Sequence, residues 1–116
     1  MNIEQLRELC SSLPHVTEDI KWESDLCFCI GKKMFCVTGI DQQPVSISFK
    51  VTDDEFDEMS QREGFIPAPY VARYKWVRLD DLNRMKADEI KHYIRQSYDL
   101  VSAKLPPKIK KEIGLQ

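Results

Sequence analysis

The chain has 116 residues, of which 42% are hydrophobic and 31% charged, and its formal net charge is −2. That length accommodates one domain rather than two, and a domain of this size buries about two-thirds of its unfolded surface without needing a staple. No apolar run approaches the ~18 residues that cross a bilayer, and the opening MNIEQLREL has no apolar segment followed by a small-residue cleavage site, so the expected location is the cytoplasm.

Asn2 is placed to cap a first helix, with Gln5 three residues later in capping-box spacing. Ile3, Leu6, Leu9, Cys10 and Leu13 then recur at helical spacing, and Pro14 ends the run because the residue before a proline avoids the α region. Val16, Ile20 and Trp22 fall on one face of a following extended segment. LCFCIGKKMFCV, residues 26–37, reads as a hairpin turning at Gly31-Lys32, which sets Phe28 opposite Phe35 and Cys27 opposite Cys36. A one-residue slip would put Phe28 opposite Cys36 and split the aromatic pair. Residues 39–44 form a polar turn. In VSISFKV, Val45, Ile47, Phe49 and Val51 alternate inward with Ser46, Ser48 and Lys50 outward.

Thr52 and Glu55 form a second capping box, with Asp53 and Asp54 in the positive first turn of a short helix that Gly64 stops. The prolines of FIPAP, 67 and 69, suggest an irregular extended connection. Tyr74 to Leu79 returns to strand, with Tyr74, Trp76 and Arg78 on one face and Arg73, Lys75 and Val77 on the other. On that reading Tyr74 and Trp76 pack against the last helix. This helix runs from about Ala87 to Lys104 with an inner stripe of Ile90, Ile94, Ser97, Tyr98 and Val101, then Leu105, and Pro106 and Pro107 terminate it. Residues 106–116 read as a loosely held basic tail of a single domain spanning 1–116. The order of elements implies an α+β domain, mainly an antiparallel sheet with helices covering its apolar face.

The chemistry-bearing residues are few. Cys27, Cys29 and Cys36 share a sheet face in the expected register, yet C-x-C along a strand does not match zinc spacing, and no fourth ligand is evident. The four cysteines read as reduced, packed thiols. The acidic run at 53–58 lacks the glycine and the alternating ligands of a calcium loop, so no metal or cofactor is expected. His15 and His92 lie near no nucleophile motif, the four glycines are isolated, and no catalytic residue is evident, so the chain is not expected to be an enzyme.

Charge is unevenly spread. Residues 1–60 carry 5 Lys+Arg against 12 Asp+Glu, whereas residues 61–116 carry 12 against 7. Arg73 and Lys75 on a strand, Arg78 at its end, and Lys32 and Lys33 at the hairpin tip would form a basic strip, extended by Lys108, Lys110 and Lys111. Such a strip holds phosphates without reading bases, and its affinity falls steeply with salt.

LPHVTEDIKW at 13–22, GKKMF at 31–35, ISFKV at 47–51, PAPYVARYKWV at 67–77 and QSYDLVSAKLP at 96–106 together resemble the MmcQ/YjbR family of small bacterial proteins. The resemblance implies a CyaY-like (frataxin-type) α+β fold: an antiparallel sheet with its helices on one side, N- and C-terminal helices and a short middle helix. It also implies DNA binding through a double wing of hairpins, and it offers no catalytic residues. Iron binding by an acidic first helix, as in frataxins, finds only Glu4 and Glu8 here. The expected activity is weak binding of duplex DNA with little sequence preference, through Lys32, Lys33, Arg73, Lys75 and Arg78. The alternative is a non-catalytic protein-interaction module using a sheet edge or the acidic helix at 53–58. A third reading is a small-molecule pocket between the sheet and the last helix.

Overall fold

The computed structural model describes residues 1–41 and 43–115. Local signals build the helices. In α1 (Ile3–Ser11) the Asn2 side chain accepts the Gln5 N–H at 2.8 Å, and the Gln5 side chain accepts the Asn2 N–H at 3.0 Å. Thr52 and Glu55 repeat this reciprocal cap at α2 (Asp53–Met59), so at each end two otherwise orphaned donors are satisfied. The long helix is α3 (Ala87–Ala103), which buries Ile90, Ile94, Ser97 and Tyr98 along the stripe legible in the sequence. Pro107 opens α4 (Pro107–Ile113), whose first turn needs no proline N–H, and Gly114 closes it in the left-handed region at φ 87°.

Six antiparallel strands form one sheet: β1 (Thr17–Lys21), β2 (Asp25–Ile30), β3 (Lys33–Gly39), β4 (Ile47–Lys50), β5 (Phe65–Pro67) and β6 (Trp76–Leu79). Their spatial order is β1-β2-β3-β4-β6-β5. The helices cover one face. Phe49 stacks on Tyr93 of α3 with ring centroids 5.5 Å apart, and Phe35 meets Tyr98 edge-on at 5.4 Å. Phe28, Phe35, Ile47, Phe49, Val77 and Leu79 are fully buried with Leu6 and Cys10 of α1. Each large side chain so buried contributes about 1.5–3 kcal/mol. Glu55 of α2 accepts a hydrogen bond from Gln96 of α3 at 2.6 Å, which ties the middle helix to the same layer.

The hairpin turns where expected, with Gly31 and Lys32 both at positive φ, and Ile30 pairs with Lys33 and Cys29 with Met34. A bulge then shifts the register, so Phe28 faces Cys36 and Cys27 faces Val37. The expected Phe28–Phe35 pair is therefore split. Phe35, the extra residue, gives its ring to Tyr98 instead. The same shift separates the thiols: Cys36 joins the helix-side core beside Cys10, while Cys27 and Cys29 stand on the other face of β2.

Other expectations change. Phe65–Pro67 is a regular edge strand, because an edge needs pairing on one side only and tolerates proline there. The following strand begins at Trp76, since Ala72–Tyr74 form a 3₁₀ turn and Lys75 sits at φ 66°. Val77 and Leu79 pair with Phe49 and Ile47 and so face the helices. Trp76 and Arg78 therefore point to the opposite, open face: Trp76 is buried, but away from α3. Tyr74 is 51% exposed. The segment 106–115 is no loose tail, because Ile109, Ile113 and Leu115 of α4 and its cap pack against the core. Ile20 and Trp22 are 58% and 69% exposed, leaving Val16 as the packed member of that trio. The expected polar turn at 39–44 includes Gln42, and the tail includes Gln116, both outside the described residues.

Candidate binding surfaces

Antiparallel pairing carries the starts of β3 and β6 and the end of β4 to one end of the sheet. Lys50 faces Trp76 directly, so Lys75, one residue earlier, lies beside it. The Lys50 ammonium donates to the Tyr74 carbonyl. Burial lowers the Lys50 pKa, and the nearby Lys104 ammonium at the end of α3 lowers it further. Asp53 opposes the shift and Lys75 adds to it. The hairpin tip reaches the same end: a Cβ on Gly31 would stand 2.8 Å from a Leu105 methyl and 3.0 Å from an Ile109 methyl. Lys32 and Lys33 are exposed on that docked tip.

Of the five cations singled out from the sequence, Lys32, Lys33 and Lys75 thus gather at one end, joined by Lys50 and Lys104. Lys75 sits 5.0 Å from the centroid of the Phe56 ring. Arg73 lies over the ring of its neighbour Tyr74 at 4.8 Å. Arg78 lies half-buried on the open face beside Ser48. Among the described residues, the ion pairs within 4.0 Å use Arg7, Arg84 and Arg95, and none uses the clustered lysines. The sequence reading missed Lys50 and Lys104. Lys50 reads only as one of the outward residues of its alternating strand, and nothing in the order of residues sets it near Lys104.

The open face carries a second feature. A cleft of 730 Å³ is lined by Trp22 from the β1–β2 turn, Met34 and Val37 of β3, Trp76 and Arg78 of β6, and the 68–71 loop with Tyr70. The space between sheet and last helix, expected as a possible pocket, is filled by the core side chains instead. The acid at the cleft is Asp25, at the start of β2. Trp22 and Tyr70 stand at φ 51° and 69°, in the left-handed region that bulky residues rarely occupy. Burial raises both thiols on this side of the sheet and pushes Cys27 up to about 11, with the neighbouring Cys29 adding to that shift. Among the described residues no three His, Cys, Asp or Glu side chains cluster as metal ligands, and no helix is long and apolar enough to cross a membrane.

An α+β domain with one helix-covered and one open sheet face and a lysine-rich end defines the class structurally. The YjbR family model matches residues 11–100, and the chain belongs to the YjbR family. The fold is similar to that of the Deinococcus radiodurans protein DR2400, described as carrying a DUF419 domain. The TM-score is 0.87 at 28% identity, over 99% of this chain and 89% of that one. A Pseudomonas syringae protein shares the fold with a TM-score of 0.71 at 21% identity, over 86% of this chain and 98% of that one. No curated protein matches the chain significantly.

Proposed function

We propose that the protein is a non-enzymatic, cytoplasmic DNA-binding protein that holds duplex phosphates weakly and with little sequence preference, through Lys32, Lys33, Lys50, Lys75 and Lys104. The observation that carries this reading is geometric: the hairpin tip with Lys32 and Lys33, the end of β4 with Lys50, and the start of β6 with Lys75 lie at one end of the sheet, with Lys104 close to Lys50 and Asp53 as the nearby acid. Cations held together against their own repulsion gain most from an anion placed among them. The CyaY-like (frataxin-type) relationship belongs to the same reading and is supported by the helix-covered antiparallel sheet. The hairpin serves as a rigid lysine-bearing tip rather than a free wing, because Gly31 packs against Leu105. Arg73 adds a peripheral cation, while Arg78 lies outside the cluster.

Anisotropy of a labelled ~20-bp duplex tests it. Binding should appear at ~50 mM salt and fall at least tenfold by ~200 mM. Lys33→Glu with Lys75→Glu should weaken unrelated duplexes equally. Absence of binding at ~50 mM salt would overturn the reading. It would favour the protein-interaction alternative, for which the exposed edge strand β1 with Ile20 58% exposed is the better-suited surface.

A further inference from the structure

The open-face cleft adjoins the lysine-rich end, since Lys50 pairs with Trp76, but none of the five lysines lines it and nothing in the DNA reading uses it. Its volume of 730 Å³ lies within the ~300–1,000 Å³ typical of small-molecule sites. Its floor is apolar: Trp76 is 5% exposed and Met34 and Val37 lie beside it. Two large rings stand at its rim in water, Trp22 at 69% and Tyr70 at 99% exposure. The core explains neither, because the core lies on the other face of the sheet. Each ring is carried on a left-handed backbone, a conformation that costs on the order of 1 kcal/mol or more in a residue with a Cβ. Two such residues, far apart in sequence, open onto one cavity.

Charge narrows the occupant. Arg78 is the only cation among the described lining residues and projects from β6 next to Ser48. Its planar guanidinium suits a planar oxyanion such as a carboxylate. Asp25 lines the Trp22 side, and Glu23 follows Trp22 in the turn. A polyphosphate chain laid along the cleft would meet those carboxylates. A ligand with a single anionic group would set it at Arg78 and leave an uncharged ring between the aromatics.

We propose that this cleft binds a small planar aromatic monoanion of the aryl carboxylate class, its ring against Trp76 and between the Trp22 and Tyr70 side chains, its carboxylate at Arg78.

The chain has two tryptophans, and both line the cleft. Their indole N–H signals in a ¹⁵N correlation spectrum therefore report on it directly. The probes are 2-naphthoate and its neutral isostere 2-naphthamide. Naphthoate should move both indole signals with a Kd of about 1 mM or tighter, and naphthamide should bind at least fivefold more weakly. Trp22→Ala and Tyr70→Ala, at exposed positions that do not threaten folding, should each weaken naphthoate about three- to tenfold. Arg78→Gln should abolish the preference for naphthoate over naphthamide. Lys32→Glu with Lys104→Glu, which should weaken DNA binding, should leave naphthoate binding unchanged, which separates this site from the DNA surface. No indole shift up to ~5 mM naphthoate would overturn the proposal. So would equal affinity for the two probes, or unaltered binding in the Trp22→Ala, Tyr70→Ala double variant. A thymidine dodecamer that moves both indole signals at lower concentration than naphthoate would overturn it too, in favour of a polymer in the cleft.

Discussion

The Ser97 hydroxyl of α3 donates to the Phe35 carbonyl of β3 at 2.5 Å and accepts the Lys50 N–H of β4 at 3.0 Å. Phe35 is the extra residue of the β3 bulge, so the ladder between β3 and β4 opens there. One buried side chain from the helix layer closes it. The bulge, the Phe35–Tyr98 contact and the seat of Lys50 thus meet at one hydroxyl.

Ser97→Ala leaves a buried carbonyl and a part-buried N–H without their partner, at ~1–3 kcal/mol for each such group. Urea unfolding should show a loss of about 2–6 kcal/mol with an unchanged m-value. Ser102→Ala removes only an exposed bond to the Asp99 carbonyl and should cost under ~0.5 kcal/mol.

Gly31→Ala places a methyl 2.8 Å from a Leu105 methyl on a backbone at φ 57°. Strain and clash together should destabilise the protein by about 1–3 kcal/mol. Amide exchange should accelerate in α4, which packs on that tip.

The Glu55 carboxyl is pushed up by burial, but hydrogen bonds from the Thr52 N–H, the Gln96 amide and the Thr52 hydroxyl outweigh this and hold it below its ordinary value of 4.5. A depressed carboxyl contributes stability that is present above its unfolded pKa and lost as pH falls through the folded one. Stability should therefore decline below about pH 4.5, and Glu55→Gln should flatten that decline. The comparison is urea midpoints from pH 6 to pH 3.

All four cysteines are free and buried. With Cys27 at about 11, on the order of one thiol in a few thousand is ionised at pH 7.4. Burial and the adjacent Cys10 likewise push Cys36 well up. A disulfide-exchange reagent should label no thiol quickly in the folded protein and all four in 6 M guanidinium. Fast labelling of one thiol in buffer would contradict the packing.

The same residues show why the sequence was legible in part. The caps at Asn2 and Thr52 act over three residues, and the stripe on α3 repeats with the helical period, so both can be read without knowing what lies opposite. The turn at Gly31-Lys32 is equally local. The face of a strand is different, because it is a parity. One inserted residue at Phe35 and one left-handed residue at Lys75 reversed the expected partners of Cys36 and the expected direction of Trp76 and Arg78. At both positions the side chain meets a ring distant in the chain, Phe35 at Tyr98 and Lys75 at Phe56.

By itself the sequence determined an α+β domain with capped helices, a glycine-turned hairpin and an apolar stripe on the long helix, since each of these rests on interactions between near neighbours in the chain. Only the tertiary structure decided that Lys50 would meet Lys104, that Arg78 would turn to the open face, and that Trp22 and Tyr70 would line one cleft with it. Electrostatic repulsion and cavity shape depend on distances through space, and those are set by a register that long-range packing alone selects.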